Sequence, residues 1–318
     1  MKKVLILTHS EDPHALSVAN YLTAKGVSFF TVETDKLISH YTFEFSSQDG
    51  IYRVSDSDRK IELTPDWVIW NRRVMDPDLP PDFPKELEDI VFTETERSWQ
   101  GLLFTHSGRV VNRPQAEFVA NNKMDQLLFS RAYGNGIDIP ETLLTNNPDL
   151  LRRFYDEGEK ICHKLQKIGL VKKNGNQQIV YTNLVTDRNI EHADLIRRNP
   201  SLFQKYIPKE YELRITALEE KVVGIAIHSQ DSELSKIDFR KYDFENVRYE
   251  KVDLPDHVGK FCSDLIKHYG LSFGEIDMIY TPSGEYVFLE LNPNGQWLWL
   301  ELKSGYPLTK DVAENLLL

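Results

Sequence analysis

An α/β protein of more than one unit is what this 318-residue sequence predicts, on three observations. The chain opens with a strand, a helix and a second strand in quick succession, the pattern of a parallel sheet. From residue 201 onward it reads as successive strands joined mostly by short turns, the pattern of an antiparallel sheet. Between the two, Val110-Val111 runs into Asn112-Arg113-Pro114, a strand ending at a boundary. We therefore place an N-terminal α/β unit at 1–113, a central α/β unit at 114–200 and a C-terminal antiparallel-sheet unit at 201–318.

Composition bounds the rest. With 41% hydrophobic and 27% charged residues the chain has the make-up of an ordered globular protein. A formal charge of −11 disfavours nucleic acid as a partner, because phosphate binding runs on an excess of Lys and Arg. Cys162 and Cys262 lie far apart in apolar segments and read as buried thiols, not as a zinc or disulfide framework. The N-terminal apolar run is four residues, too short for a signal peptide, and no run approaches membrane-spanning length. A cytoplasmic protein with no membrane partner is expected.

In the first unit, Val4–Leu7 is a short buried strand, Asp12 caps the following helix and Pro13 takes its first position. Leu16, Ala19 and Leu22, with Val18 beside them, give that helix its apolar face, and Gly26 stops it before the strand Val27–Val32. No Gly-x-Gly-x-x-Gly occurs at the first strand–helix junction, which argues against a dinucleotide site there. Short strands around Tyr41–Phe45, Ile51–Val54 and Lys60–Leu63 lead to the apolar Trp67–Trp70. Arg72 and Arg73 follow, either facing a ligand crevice at the carboxyl end of the sheet or solvated. Lys85–His106 reads as a long helix with Leu87, Ile90, Val91, Trp99, Leu102 and Leu103 on its buried side.

From Gln115 the chain reads as helical through Lys123 to Tyr133, with Gly134 and Gly136 ending the helix before one strand, Ile137–Leu144. A helix over Asn147–Asp156 precedes the strand Lys160–Leu165, whose even positions carry Lys160, Cys162 and Lys164. Gln177–Thr182 is expected to pair with that strand across the polar Lys172–Asn176 loop, which is either a hairpin tip or a cover for phosphates.

Leu202–Lys209 is a strand broken at Pro208, with backbone groups and apolar flanks suited to a purine edge. The next hairpin, Glu210–Leu218 with Lys221–Ser229, puts Glu212, Arg214 and Thr216 on one face. Asp238 and Arg240 share one side of an extended segment at Ser235–Arg240. A strand at Val247–Val252 and a helix at Pro255–Tyr269 come before the stretch that carries the chemistry, and helices near Trp297–Leu302 and Lys310–Leu317 close the chain.

That stretch is a hairpin of Phe273–Tyr280 and Tyr286–Leu291 around Thr281-Pro282-Ser283-Gly284, which sets Asp277 across from Glu290. Asn292 follows at the same side-chain parity as Glu290. Two carboxylates and an amide oxygen on rigid strands suit Mg²⁺, which takes oxygen ligands at about 2.0–2.1 Å and keeps places for substrate phosphates. A nucleotide is the implied substrate. A solvent-facing edge carboxylate followed by an Asn-Pro turn is the alternative.

The order of these parts resembles the ATP-grasp superfamily over nearly the whole chain. Thr8–Asp12, Trp70–Arg73, Phe203–Pro208 through Glu212-Leu213-Arg214, Ile237–Arg240 and Glu290–Trp297 resemble the microviridin-type graspetide ligases, which macrocyclise ribosomally made precursor peptides. The Asn-Pro-x-Gly-Gln-Trp ending and the Asp-x-Arg segment carry that finer resemblance, since Glu-x-Asn is common to ATP-grasp enzymes generally.

The resemblance implies an ATP-grasp fold with a pre-ATP-grasp N-terminal domain, ATP and Mg²⁺ as cofactors, and a leader-bearing precursor peptide as partner. It implies nucleotide contacts from Lys123, Lys164, Gln204, Tyr206 and Ile207, with Glu212 accepting from the ribose and Glu210 its rival. Asp277, Glu290 and Asn292 would hold the metal, and Arg214, Asp238 and Arg240 would engage the core acids and their acyl phosphates. The implied reaction is ATP-driven formation of side-chain esters between Glu or Asp and Thr or Ser, with amides to Lys as a variant. Homodimers are common in the family. No general base stands out, His9, His163 and His228 being candidates by type alone. Another ATP-grasp carboxylate–amine ligase and a non-catalytic nucleotide-binding regulator are the alternatives.

Overall fold

The computed structural model describes residues 2–318 except 157, 167–168 and 174–175, with 169–173 and 176–179 described as backbone only. Near the N-terminus, strands Lys3–Thr8, Phe29–Glu33, Trp67–Asn71 and Val110–Val111 form a parallel sheet with Lys3–Thr8 and Trp67–Asn71 at its centre. Its two central strands read as nearly continuous apolar runs because both faces are covered. Asp12 caps the helix Pro13–Ala24 by accepting from the His14 backbone N–H. The buried face of that helix is His14, Ala15, Val18 and Leu22, while Leu16 is 63% exposed, so the expected face was rotated by about one residue. In the helix Glu88–Thr105, Trp99, Leu102 and Leu103 are buried, but Ile90 in its first turn and Leu87 just before it are exposed; its N-terminal end extends beyond the core.

Two expected continuities are broken. The helix through Lys123 is two helices, Pro114–Ala120 and Lys123–Tyr133, because Asn122 caps the second by accepting from the Met124 and Asp125 N–H groups. The expected strand Ile137–Leu144 splits around Pro140, which has no N–H to give a ladder. Ile137–Asp138 joins one sheet and Thr142–Thr145 another.

The second of those sheets is antiparallel, ordered Asn183–Leu184, Ile161–Lys164, Ser201–Lys205, Thr142–Thr145. Leu151, Phe154, Ile161, Ala193 and Phe203 form its core. Asn176–Val180 pairs with Gly169–Lys173 as a separate hairpin, not with Ile161–Lys164 as expected. The tip of the expected phosphate-covering loop lies outside the described residues.

A six-stranded sheet dominates the C-terminal half, ordered Tyr249–Val252, Val222–Ile227, Tyr211–Leu218, Phe273–Tyr280, Tyr286–Asn292, Ile137–Asp138. One face packs Leu213, Ile215, Ile276, Met278, Phe288 and Leu291 into a core with Val258, Phe261 and Leu265 of the helix Asp256–His268. Glu212, Arg214, Thr216, Glu275 and Asp277 alternate with those residues and so line the opposite face. Strict alternation from Phe288 would send Glu290 into the apolar core. A bulge prevents this: Met278 pairs with Phe288 but Asp277 pairs with Glu290, leaving Leu289 extra, so Glu290 and Asn292 join Asp277 on the polar face. The amide of Gln126 secures the edge beyond the bulge, accepting from Leu291 N–H and donating to Leu291 C=O, both at 2.9 Å. Among the described residues no helix is long and apolar enough to cross a membrane.

Candidate active site

On the polar face, Asp277 and Glu290 sit opposite one another and are each less than a tenth exposed. Burial raises the pKa of Asp277; Arg214 pulls against this and the like charge of Glu290 adds to it. Burial also pushes Glu290 upward, but Lys123, which forms an ion pair with it, and Lys164 outweigh that and hold it well below the usual carboxylate range. Asn292 Nδ2 is 3.5 Å from Glu290 Oε1. Burial lowers the pKa of the Lys164 ammonium, with Glu290 opposing and Lys123 assisting. Lys160, its neighbour in the reading of the strand, is exposed.

This donor set fits a hard cation: two facing carboxylates and an amide, with no soft ligand. Among the described residues no cluster of three His, Cys, Asp or Glu side chains could hold a metal alone. Asp277, Glu290 and Asn292 offer oxygen donors of the kind that substrate phosphates and water complete around a hard cation.

Arg214 lies deeper. Its Nη1 donates to Asp277 Oδ1 at 2.7 Å and its Nε to Glu275 Oε2 at 3.1 Å, while Thr216 Oγ1 donates to Glu275 Oε1 at 2.8 Å. Burial pushes Glu275 up to about 7 against the pull of Arg214 and Thr216. Sequence reasoning missed Glu275, although its parity with Asp277 on the same strand was available.

Asp277 and Glu290 open onto a cleft of about 600 Å³, counted out to its solvent-facing mouth. The cleft is also lined by Lys164, Gln204, Tyr206, Ile207, Glu212, Asp238 and Arg240. Lys123, Asn292 and Arg214 do not line it. Tyr206 N–H is taken by Lys160 C=O at 2.7 Å, and Gln204 Nε2 donates to Thr142 Oγ1 at 3.0 Å. Glu212 is 4% exposed and accepts from Lys209 Nζ at 2.5 Å and Ser229 Oγ at 2.9 Å. Its rival Glu210 is exposed and does not line the cleft. Lys209 was not picked out from sequence; nothing but its spacing of three from Glu212 could have marked it.

Asp238 and Arg240 make a two-bond pair, Nε to Oδ1 at 2.8 Å and Nη2 to Oδ2 at 2.6 Å. The segment is a turn, not the extended run expected, because Asp238 Oδ1 also accepts the Arg240 N–H at 3.1 Å. Thr182 N–H donates to Asp238 Oδ2 at 2.9 Å, tying in the segment just before the strand Asn183–Leu184. Beside Arg240, the ring of Tyr242 stacks on Phe244 with centroids 4.8 Å apart and meets Trp299 edge-on at 5.4 Å, an aromatic shelf that sequence reading overlooked.

The Asn294–Trp297 turn has a different setting. Arg72 is wholly buried, neither facing a crevice nor solvated as the two sequence readings had it. It donates to Asp12 Oδ2 at 3.2 Å, to Asn294 Oδ1 at 2.7 Å and to Gly295 C=O at 3.0 Å, and its guanidinium lies 5.0 Å from the Trp297 ring centroid. His14 Nε2 accepts from the Trp297 and Leu298 N–H groups, each at 3.2 Å, which places its proton on Nδ1 toward Asp12. Asn112 donates to Pro293 C=O at 2.8 Å. The turn is a clamp between the parallel sheet and the six-stranded one. Among the histidines weighed by type, His228 pairs with Glu250 at 2.8 Å, His163 packs on Phe203, and neither lines the cleft.

A family model for the MvdD pre-ATP-grasp domain matches residues 3–117. The whole chain is similar to the macrocyclase MdnC of Microcystis aeruginosa MRC, whose crystal structure has the precursor peptide MdnA bound. Identity is 30%, the TM-score is 0.87 and 99% of each chain is covered. A RiPP-associated ATP-grasp ligase of Chryseobacterium gregarium, in complex with ADP and a leader and core peptide, is similar at 27% identity and TM-score 0.91, over 99% of this chain and 96% of that one. The macrocyclase MdnB of Microcystis aeruginosa MRC is similar at 29% identity and TM-score 0.78, with 99% of each chain covered. Curated protein sequences give no match.

Proposed function

Because the chain belongs to the ATP-grasp ligases that macrocyclise ribosomal precursor peptides, we infer that it joins side chains of such a peptide at the expense of ATP. A Glu or Asp carboxylate of the peptide attacks the γ-phosphorus of ATP, the Pγ–O bond to ADP breaks, and an acyl phosphate forms. A Thr or Ser hydroxyl then attacks the acyl carbon and phosphate leaves. The net change is carboxylate, hydroxyl and ATP⁴⁻ to ester, ADP³⁻ and HPO₄²⁻, the hydroxyl proton ending on phosphate. A Lys amine as nucleophile would give an amide.

One observation carries the assignment of residues: two buried carboxylates, Asp277 and Glu290, stand opposite each other in the cleft that also holds Lys164 and Arg240. Asp277, Glu290 and Asn292 would hold Mg²⁺, which when bound neutralises phosphate charge and polarises the γ-phosphoryl group. Lys164 and Lys123 supply positive charge on the phosphate side. Gln204, Tyr206 and Ile207 would face the base, Tyr206 through its carbonyl since its N–H is committed to Lys160. Glu212, kept in place by Lys209 and Ser229, would accept from the ribose. Arg240, with its side chain 37% exposed, can present free N–H groups to the substrate carboxylate, while Asp238 orients it. Arg214, behind Asp277, acts as a positioning residue.

We assign 1–113, 114–200 and 201–318 as N-terminal, lid and ATP-grasp units, with the helix Lys123–Tyr133 packed on the sheet of the third. We place the reaction in the cytoplasm, where ATP is plentiful and the buried thiols Cys162 and Cys262 stay reduced. The test is mass spectrometry of a candidate precursor, rich in Thr and Glu or Asp, after incubation with enzyme, ATP and Mg²⁺. Loss of one water mass per ring is expected. ATP-dependent addition of a free amine with no such loss would instead indicate a carboxylate–amine ligase.

A further inference from the structure

The guanidinium of Arg214 is shared between two carboxylates. It makes one bond to Asp277 Oδ1 and one to Glu275 Oε2, although a fork of this kind favours two parallel bonds to a single partner. Sharing has a consequence at Asp277. Its Oδ1 is bound by Arg214, whereas its Oδ2 makes no hydrogen bond to the described residues, and the side chain lines the cleft. Glu275 is wholly buried and fixed from its other oxygen by Thr216, so it anchors Arg214 at a set distance from the cleft.

Room for Glu275 comes from the clamp. A Cβ at Gly295 would collide with Cβ and Cγ of Glu275 and would lie 2.9 Å from Arg214 Nη2. The Gly295 carbonyl is meanwhile held by Arg72 at 3.0 Å. The glycine of the Asn-Pro-Asn-Gly turn thus touches the N-terminal unit on one side and the Arg214–Glu275 pair on the other.

We propose that Glu275 is a positioning residue for the metal site, keeping Arg214 from closing both bonds onto Asp277 so that one oxygen of Asp277 stays available to the cation, with Gly295 leaving the space this requires. The inference rests on the reading of Asp277 as a Mg²⁺ ligand. Glu275→Gln keeps the shape but removes the charge that draws Arg214 away. Arg214 then moves onto Asp277 and competes with the cation.

The experiment is calorimetric titration of the full-length protein with ADP across a series of Mg²⁺ concentrations and in EDTA, with Mn²⁺ binding followed by electron paramagnetic resonance. For Glu275→Gln the Mg²⁺ concentration giving half-maximal enhancement of ADP binding should rise about tenfold, the scale of one charge-assisted hydrogen bond. ADP affinity in EDTA should stay within about twofold, since base and ribose contacts are untouched. Gly295→Ala, which displaces Glu275 by crowding, should shift the Mg²⁺ requirement in the same direction and keeps the test alive if Glu275→Gln fails to fold. A folded variant with the wild-type Mg²⁺ and Mn²⁺ dependence would overturn the inference. Wild-type ADP binding indifferent to Mg²⁺ would overturn the metal assignment itself, and with it this proposal.

Discussion

Two arginine–aspartate pairs divide the molecule between them. Arg72 on Asp12 is sealed, with its side chain 1% exposed, its Nη1 bound to the Asn294-Gly295 backbone and side chain, and its Nη2 buried without a partner among the described residues. Arg240 on Asp238 is tighter in geometry yet leaves more than a third of the arginine side chain open beside the cleft. Burial pushes Arg72 down to about 10, with Asp12 opposing, while Asp238 keeps Arg240 above its usual range despite burial. Ion-pair geometry is therefore no guide to function here; what separates the clamp from the proposed working group is whether the arginine is open to the cleft to meet a ligand.

Breaking the sealed pair should have the largest effect. Arg72→Met strands Asp12 as a buried charge and should cost about 3–5 kcal/mol in urea unfolding; a loss under about 1 kcal/mol would mean the clamp is not what joins the units. On the working side, Glu290→Gln should leave a cooperatively folding protein and lower turnover by about 10²-fold or more, read as ADP release, in line with removing one preorganised electrostatic group. Wild-type turnover in that variant would sink the metal assignment. Arg240→Ala should reduce peptide processing about 10-fold or more while ADP binding by calorimetry is retained, because a charged hydrogen bond to the substrate carboxylate is lost. Should ADP binding vanish instead, Arg240 belongs to the phosphate site.

The smallest effect sharpens the sealed side. Glu117, near Arg72, has a buried Oε1 without a partner among the described residues, and burial pushes its pKa from 4.5 up to about 8, with Arg72 pulling the other way. The folded chain therefore holds a proton that the unfolded chain releases between those values, so stability falls as pH rises from 4.5 to about 8 and levels off above. Glu117→Gln cannot ionise and should gain about 1–3 kcal/mol at pH 8 with little change near pH 4.5. Parallel urea midpoints for wild type and variant across that window would refute the assignment.

Much of this was legible in the sequence, for reasons that can be named. The parallel start followed from apolar runs and an Asp-Pro cap, and the facing of Asp277 and Glu290 followed from a hairpin whose turn residues are unmistakable. What failed were features decided by contacts distant in sequence. Leu16 is outward because the helix Pro13–Ala24 packs against the helix Leu308–Leu316, with Tyr21 bonded to Glu314. Arg72 read as either ligand-facing or solvated because its partners lie far off in sequence, Asp12 60 residues away and Asn294 222. Gly295 and Trp297 were read as marks of a peptide substrate, and the structure gives them a mechanical setting: Trp297 is fully buried against His14, Trp70 and Phe273.

The extra residue at Leu289 bears on how such a site is written into a chain. Asp277 and Glu290 share a face only because the count of residues between Phe288 and Glu290 is offset by one against the facing strand. A regular ladder that drew Leu289 into the place opposite Asp277 would carry the same carboxylates and turn Glu290 and Asn292 toward Phe261 and Leu265, exchanging an aqueous wall for a hydrocarbon one. The position of the site is thus encoded in register as well as in chemistry, and a ladder that kept Leu289 but lost the bulge would erase it without altering any of its ligands.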